Sequence, residues 1–393
     1  MSSLPWSTAL AATLAERQLA GRYRKVRTRS GEQGVKVIID GKAMLSFCSN
    51  DYLGLAAHPD IKKAFISAAE ADGVGSGAAH LLSGHSRYHQ QLEEALVDFT
   101  GQQAVLLFSS GYQANLGVID GLMSRGDVVL QDKLNHASLL DGGRLSGAKQ
   151  WRYPHVDMQG LTRRLIQTEA NAHRLVVTDG VFSMDGNLAP LADITQLAHD
   201  HQAAVLVDDA HGFGVVGRQG RGSVDHWQIA AQGLPLVMGT FGKALGTAGA
   251  FVAADSDVIE TLIQQSRSFV YTTAQPAAIA AATLASLALV QTENWRREKL
   301  QSLIQQFRQG AAQLGLALMG SMTPIQPIVI GDDKQAVAIG EALEAKGFLL
   351  GVIRPPTVPE GSARLRITLS ADHTEQDVTQ LLDALEDVIC ISR

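Results

Sequence analysis

Two segments decide the fold of this chain: Val205–Gly212, which reads VLVDDAHG, and Leu234–Gly246, which reads LPLVMGTFGKALG. Each begins with a short apolar run typical of a strand buried on both faces and continues into polar and glycine-rich residues. Ligands of open parallel sheets bind at the carboxyl ends of the strands. We therefore expect the carboxylate of Asp208, the imidazole of His211 and the amine of Lys243 to meet in one crevice.

The middle of the chain repeats this alternation. Short apolar runs are separated by longer stretches with helical spacing, which predicts an α/β fold with a mostly parallel central sheet and helices on both faces. The predicted strands are Ala104–Phe108, Val128–Leu130, Leu175–Thr178, Val205–Val207 and Leu234–Met238. The predicted helices include Gln113–Met123, Leu161–Ala170 and Asp193–His201.

Both ends of the chain follow a different pattern. A helix, Ala9–Leu19, precedes two apolar runs joined by the turn dipeptide Asp40-Gly41, which predicts a hairpin of Val35–Ile39 and Met44–Phe47. After Pro276 the pattern is typical of a smaller α+β domain, with the elements Ala277–Leu289, Asn294–Leu314, Gln326–Ile330, Phe348–Ile353, Leu365–Thr368 and Thr374–Val388. We predict an N-terminal segment of residues 1–45, a large domain of residues 46–285 and a small C-terminal domain of residues 286–393.

The composition of the 393 residues excludes several classes of protein. A net charge of −6 argues against a nucleic-acid-binding surface, and we interpret the basic segment Arg17–Arg29 as a solvated face rather than an anion site. The two cysteines, Cys48 and Cys390, suggest neither a disulfide framework nor a metal-binding spacing, so we expect no metal site and a reducing cytoplasm. We see no signal-peptide pattern and no apolar run of about 18 residues, so neither export nor a membrane span is expected.

The residue types at the two strand ends are those that a pyridoxal cofactor needs. A lysine amine can form an imine with the cofactor, and an acid can keep its pyridine nitrogen protonated so that the ring withdraws electrons. Lys243 and Asp208 could supply these groups, and His211 could reach the phenolic oxygen of the ring. Taken singly, a solvated lysine and a turn-capping Asp-Asp pair are the simpler interpretations, but their combination at two strand ends favours a cofactor site.

Three other segments also follow predicted strands. Ser109–Asn115 begins a helix whose N–H groups could bind the phosphate, although helix capping by Ser109 or Ser110 is the simpler interpretation. His136 could stack on the pyridine ring, and Ser183 could donate a hydrogen bond to the cofactor. His136 is also consistent with a structural histidine, and Ser183 with a plain turn.

Two nucleotide-binding patterns are rejected. Gly212–Gly217 matches G-x-G-x-x-G, but the glycine-interrupted residues 218–222 do not open a helix. The pair Gly242-Lys243 resembles the end of a phosphate-binding loop, but Val237 stands where that motif needs glycine and Ala244 where it needs Ser or Thr.

Together these motifs resemble the α-oxoamine synthases, fold-type I pyridoxal-phosphate enzymes that condense an amino acid with an acyl thioester and release carbon dioxide. The resemblance is carried by Asp208–Gly212 and Thr240–Gly246, and further matches span nearly the whole chain: Ser49–Leu55, Gly75–Gly77, His89 with Leu92-Glu93, Phe108–Asn115 and Asp179–Gly186. Within the family, Ile353–Pro359 and Ala363–Arg366 are similar to the member that joins L-alanine to a pimeloyl thioester.

The resemblance implies a role for each matching residue. Lys243 would carry pyridoxal 5'-phosphate, and Asp208, His136 and His211 would complete the catalytic set. The other implied cofactor contacts are Gly111, Tyr112, Ser183 and Thr240, with Thr272 or Thr273 reaching the phosphate of the neighbouring subunit in a homodimer. The implied substrate contacts are Arg366 for the amino-acid carboxylate, Arg24 and Thr357 for the acyl substrate, and also Asn50 and His136.

Some alternatives stay open in the sequence. The run Gly77-Ala78-Ala79-His80 departs from a more glycine- and serine-rich run in relatives, which leaves the detail of that loop undetermined. The acyl donor could be carried by acyl carrier protein or by coenzyme A. The alternatives are an enzyme that joins glycine to acetyl-CoA and a noncatalytic cofactor-binding protein.

Overall fold

The computed structural model describes residues 4–169, 171–229, 233 and 235–391, with side chains up to residue 389. Ala170 and Leu234, which end two of the predicted elements, lie outside the described residues, as does the side chain of Cys390. The other cysteine, Cys48, is a free thiol.

The chain divides into two compact units. The small unit comprises Met1–Ser49, Met184–Gly186 and Leu300–Arg393, and the large unit comprises Asn50–Ser183 and Asn187–Lys299. The predicted N-terminal segment and most of the predicted C-terminal domain therefore lie in one unit.

Both units contain strands and helices, which alternate through most of the large unit. The strands are β1 (Arg29–Ser30), β2 (Lys36–Ile39), β3 (Lys42–Phe47), β4 (Ala104–Phe108), β5 (Val128–Asp132), β6 (Lys149–Tyr153), β7 (Arg174–Asp179), β8 (Ala204–Asp208), β9 (Leu236–Thr240), β10 (Ala250–Ala254), β11 (Ile325–Gly331), β12 (Phe348–Ile353) and β13 (Ala363–Thr368). The helices are α1 (Ser7–Leu19), α2 (Pro59–Asp72), α3 (Arg87–Thr100), α4 (Gly111–Leu122), α5 (Ala137–Ser146), α6 (Met158–Ile166), α7 (Leu191–Asp200), α8 (Ser223–His226), α9 (Ser256–Gln265), α10 (Arg267–Val270), α11 (Ala277–Thr292), α12 (Trp295–Gln313), α13 (Asp333–Ala345) and α14 (Glu375–Ile391), with a π-helical turn at His80–Gly84 and a 3₁₀ turn at Arg218–Gly220.

The large unit is built on a mostly parallel sheet, as predicted. Among the described residues it has seven strands in the order β4-β10-β9-β8-β7-β5-β6. Five of them, β9, β8, β7, β5 and β6, pair in parallel, whereas β10 is antiparallel to both β4 and β9. The sequence did not predict β10 or β6. The edge strand β6 is largely polar and only partly buried, so it lacks the apolar run by which the other strands were found.

Successive residues of the inner strands enter two different cores, which explains the unbroken apolar runs. Leu206 packs into one core with residues of α4 and α9, while Val205 and Val207 pack into the other with residues of α6 and α7. Because side chains alternate between the two faces of a strand, both faces must be covered. The predicted layer of helices on each side of the sheet is thus confirmed.

The small unit contains the predicted hairpin. Strands β2 and β3 pair antiparallel, and Asp40 and Gly41 at the turn have φ values of 51° and 79°. Two such residues form a tight hairpin turn whose twist matches that of the strands. The sheet order in the described small unit is β1-β2-β3-β12-β13-β11, with β12 parallel to β3. No described helix is both long enough and apolar enough to cross a membrane.

Candidate active site

The predicted site residues of the large unit converge because their strands point the same way. Strands β5, β7, β8 and β9 are mutually parallel, and β4 shares their direction since both β4 and β9 are antiparallel to β10. The segments that begin at Ser109, Lys133, Gly180, Asp209 and Phe241 therefore leave the sheet at one edge.

Asp208 lies at the centre of this edge. It is the last residue of β8 and is 4% exposed. Its Oδ2 atom accepts a 2.7 Å hydrogen bond from Nδ2 of Asn115, and its Oδ1 atom accepts one of 3.1 Å from the backbone N–H of Ala210. The Nδ2 group of Asn115 also lies 2.8 Å from Oγ of Ser138. Asn115 and Ser138 therefore orient Asp208, and sequence reasoning assigned a role to neither.

The neighbouring Asp209 fulfils the structural role that was weighed for the Asp-Asp pair. Its Oδ2 atom accepts a 2.8 Å hydrogen bond from the backbone N–H of Ser223, which anchors the loop after β8. Burial raises the pKa of Asp209 to about 7, and its bonds to Ser223 oppose that shift. One aspartate thus holds the loop while the other faces the site.

His136 caps helix α5 beside a second buried carboxylate. Its backbone N–H donates a 3.0 Å hydrogen bond to Oδ2 of Asp179, and its Nδ1 atom lies 2.8 Å from Oγ of Ser138. Asp179 is paired in register with Asp208 on the adjacent strand. Burial raises the pKa of Asp179 well above its ordinary range, and Asp208 adds to the shift. Sequence reasoning did not single out Asp179, although its position at a strand end was visible.

Lys243 lies in the glycine-containing turn after β9 and is half-buried. Its positive charge lowers the pKa values of His136, Asp179 and Asp209, although burial is the largest influence on each and raises the pKa of the two carboxylates. Asp208 has the opposite effect on His136, whose pKa burial lowers overall. The amine of Lys243 therefore shares an electrostatic environment with the acids at this edge.

His211 and Asn50 are connected through a buried tyrosine. The hydroxyl of Tyr52 lies 2.7 Å from Nδ1 of His211 and donates a 3.1 Å hydrogen bond to Oδ1 of Asn50. Tyr52 lies in the quoted motif Ser49–Leu55, but its link to His211 spans 159 positions and was not predicted.

The predicted phosphate contacts lie at the start of α4. Ser110 caps this helix by accepting a hydrogen bond from the backbone N–H of Gln113, as the simpler interpretation expected. A Cβ atom on Gly111 would lie 3.4 Å from Met238 and 3.8 Å from Thr240, so Gly111 brings the helix N-terminus close to Thr240. The hydroxyl of Tyr112 donates to Asp141, which raises the pKa of the phenol.

Two predicted residues lie on loops of the large unit. Ser183 follows the turn at the end of β7, where Val181 and Leu188 pair as an isolated bridge. Thr273 pairs in the same way with Ala79.

The remaining predicted substrate contacts belong to the small unit. Arg366, in β13, is 7% exposed. Arg24 donates a 3.2 Å hydrogen bond to Oγ1 of Thr357, and both residues line a cavity of about 310 Å³ with Arg22 and Arg354. Sequence analysis assigned Arg24 and Thr357 to the same ligand, and the structure brings these two together.

The chemistry of the large-unit residues fits pyridoxal phosphate. Asp208 is a buried acid held in a fixed orientation, as a partner of a pyridine nitrogen must be. Lys243 offers an amine on the adjacent strand end, and the N-terminus of α4 beside Thr240 offers N–H groups for a phosphate.

The comparisons with known proteins agree with this geometry. Residues 42–385 match the family Aminotransferase class I and II. The 8-amino-7-oxononanoate synthase of Nitrosococcus oceani is 58% identical over 376 residues, which cover 96% of this chain and 100% of that protein. The synthase of the same name from Alcanivorax borkumensis is 57% identical, with 96% and 97% covered.

The chain belongs to the 8-amino-7-oxononanoate synthase family. It is a pyridoxal-phosphate-dependent acyltransferase of fold type I. The predicted resemblance, fold class and cofactor are thus confirmed.

Solved structures of other enzymes have the same fold as this synthase family member. Serine palmitoyltransferase of Sphingomonas wittichii superposes with a TM-score of 0.93 at 30% identity, covering 99% of this chain and 98% of that one. A structure described as the same type of enzyme with pyridoxal phosphate has a TM-score of 0.91 at 30% identity, with 98% and 97% covered. The 8-amino-7-oxononanoate synthase of Francisella tularensis has a TM-score of 0.77 at 29% identity, with 89% and 98% covered.

Proposed function

We propose that this chain condenses L-alanine with a pimeloyl thioester to give 8-amino-7-oxononanoate, carbon dioxide and the free thiol carrier, a step of biotin biosynthesis. The observation that carries the proposal is that the buried, oriented Asp208 and Lys243 lie at the ends of adjacent parallel strands, in a chain whose full-length relatives are synthases of that name.

Pyridoxal phosphate, when bound, supplies an electron sink for the bonds broken at Cα of the amino acid. Asp208 would hold a proton on the pyridine nitrogen, because its buried carboxylate already has its orientation fixed by Asn115 and Ala210. The Nζ atom of Lys243 would hold the cofactor and, once released, accept the Cα proton of L-alanine.

The histidines would position the ring and the substrates. His136 would stack on the ring from the N-terminus of α5, where its Nδ1 atom and backbone N–H are already bonded to Ser138 and Asp179. His211, fixed by the hydroxyl of Tyr52, would approach the ring oxygen with Ser183. Gly111, Tyr112 and Thr240 would hold the phosphate.

The arginines of the small unit would bind the acidic groups of the substrates. Arg366 would pair with the carboxylate of L-alanine, for which a guanidinium offers two parallel donors. Arg24 and Thr357 would contact the acyl donor, and their cationic cavity suits an anionic part of it.

We also propose a cytoplasmic homodimer in which Thr272 or Thr273 reaches the cofactor phosphate of the neighbouring subunit. The free thiol of Cys48 is consistent with a reducing compartment.

The deciding experiment measures product formation by the purified holoenzyme with L-alanine or glycine, each combined with pimeloyl-CoA, pimeloyl-acyl carrier protein or acetyl-CoA. We expect turnover with L-alanine and a pimeloyl thioester, and a kcat/KM about 10- to 200-fold lower when glycine replaces L-alanine, the range for one missing methyl group. A preference for glycine and acetyl-CoA would overturn the assignment. The two pimeloyl donors identify the carrier.

A further inference from the structure

Three histidines of the large unit form a cluster to which the proposed function assigns no role. The histidine cluster consists of His80 and His85, in and after the π-helical turn, and His89 on α3. The centres of their rings are 5.0–5.4 Å apart in each pair. One ligating nitrogen from each ring lies within 4.8 Å of the other two, and the Nδ1 atoms of His80 and His85 are 3.0 Å apart.

These distances are close to those around a tetrahedral metal ion. With metal–nitrogen distances of about 2.0–2.1 Å, ligand nitrogens lie about 3.4 Å apart and the centres of their rings roughly 5 Å apart. The largest nitrogen separation in the cluster, up to 4.8 Å, needs a closure of about 1.4 Å to reach that geometry. The exposed His85, which directly follows the π-helical turn, can make that adjustment, and such turns often occur at functional sites.

The two nitrogens of His89 have different surroundings. His89 is 1% exposed, and its Nε2 atom is buried without a hydrogen-bond partner among the described residues. Its Nδ1 atom accepts a 2.9 Å hydrogen bond from the backbone N–H of Ser86 and lies 2.9 Å from Oγ of the same residue. The proton of the neutral ring therefore lies on Nε2. Binding of a cation at Nε2 requires that proton to move to Nδ1, which would then donate to Oγ of Ser86 in place of the bond from the Ser86 N–H. A buried polar atom left unpaired is costly, so a bound ion would remove that cost.

Burial favours the neutral form of all three rings. Burial lowers the pKa of His80 to about 4, helped by the two neighbouring histidines. Burial also lowers the pKa of His89 to about 4, and the backbone of Gln275 opposes the shift in part. Burial lowers the pKa of His85 as well. Neutral imidazoles keep a lone pair for coordination.

A half-buried carboxyl group, that of Glu93, lies beside the cluster. Oε2 of Glu93 is 3.7 Å from Nε2 of His85, on the opposite side of that ring from the Nδ1 atom that faces His80. Metal-binding histidines usually direct their second nitrogen to a carboxylate in this way, which orients the ring and makes it a stronger ligand.

We propose that His80, His85 and His89 bind one divalent first-row transition metal ion of the type that prefers imidazole, such as Zn²⁺ or Co²⁺. Three protein ligands leave a further coordination position for water. The ion would tie the π-helical turn to α3, and the bridge between Ala79 and Thr273 would extend that bracing to the segment proposed to reach the neighbouring subunit. The sequence predicted no metal site, since these spacings match no familiar motif.

Titration of the tag-free, chelator-treated holoenzyme with ZnCl₂ and CoCl₂ tests the proposal. We expect one ion per chain by calorimetry, a rise in melting temperature with Zn²⁺, and the visible bands of nitrogen-bound Co²⁺ in difference spectra. His85→Gln and His80→Asn should each weaken binding by at least about tenfold and remove the Co²⁺ bands. Both variants must keep the bound cofactor and the metal-free melting temperature of the wild type.

His173→Gln is the matched control, because this histidine is 84% exposed and lies beside a single carboxylate, that of Asp127. Its affinity should remain within about twofold of the wild type. The proposal is overturned if the wild type binds no ion at equimolar metal, if His173→Gln weakens binding as much as the cluster variants do, or if the two cluster variants bind as the wild type does. In the first case His80 serves only in packing, stacked on Phe269 with ring centres 5.2 Å apart.

Discussion

The side-chain amide of Asn115 donates a 2.7 Å hydrogen bond to the Oδ2 atom of Asp208, and both residues are buried. The bond joins the first turns of α4 to the end of β8 across 93 positions of the chain. It fixes the carboxylate that we expect to face the pyridine nitrogen of the cofactor.

Asn115→Ala should reduce kcat by about 10- to 100-fold while the cofactor stays bound, because a hydrogen bond to a charged group contributes about 1.5–3 kcal/mol. Ser138→Ala is the matched control, since Ser138 bonds to Asn115 but not to Asp208, and it should cost less. Steady-state rates and cofactor content measure both. Equal losses in the two variants would mean that Asn115 does not act through Asp208.

Lys243→Ala should abolish turnover and the visible absorption band of the lysine-bound cofactor, because no other residue at this strand end carries a primary amine. Lys63→Ala, which removes an exposed lysine of α2, should change neither. Absorption spectra recorded without added amino acid provide the measurement. If the Lys243→Ala protein kept that band, another lysine would hold the cofactor.

Arg366→Ala and Arg24→Ala should separate the two substrates. The first should raise the KM for L-alanine and the second the KM for the pimeloyl thioester, each by about 10- to 100-fold for the loss of a charged hydrogen bond. Arg163→Ala, on the surface of the large unit, should leave both constants unchanged. The assignment of these arginines fails if each variant raises both KM values equally.

Subunit exchange between two inactive variants tests whether each active site contains residues of both subunits. If Thr273 serves the neighbouring subunit, Lys243→Ala and Thr273→Ala chains that exchange subunits should regain activity, since a mixed dimer then has one intact site. Random exchange makes about half of the dimers mixed and about a quarter of the sites intact. The same experiment with Thr272→Ala identifies which threonine contributes. Mixtures no more active than the sum of their parents would place both threonines in their own subunit's site.

Asp209 should make stability depend on pH between about 4 and 7. Its folded pKa of about 7 lies above the unfolded value near 4, so the folded state keeps a proton that the unfolded state has lost. The resulting stabilisation is complete below about pH 4 and is lost as the pH rises through 7.

Asp209→Asn cannot lose that proton and retains an oxygen for the backbone N–H of Ser223. The free energy of unfolding of the wild type should therefore fall relative to the variant by up to about 4 kcal/mol over this range. Denaturant titrations at several pH values measure the difference. A constant difference from pH 4 to pH 7 would contradict the prediction.

The sequence predicted most strands of the large unit because their apolar runs record burial on both faces. It also predicted that Asp208 and Lys243 would lie at one edge, which follows from parallel pairing of the strands that precede them. The alternation of short apolar runs with helical stretches is a local property, so these conclusions needed no knowledge of distant contacts.

Only the tertiary structure decided which distant groups satisfy the buried polar atoms. The bond from Asn115 to Asp208 and that between Tyr52 and His211 join residues far apart in sequence. The insertion of β10 between β4 and β9 and the grouping of the histidine cluster depend equally on how the chain returns on itself. The physical reason is that hydrophobic periodicity specifies the face a residue buries, whereas a hydrogen-bond partner is chosen by the packing of separate elements.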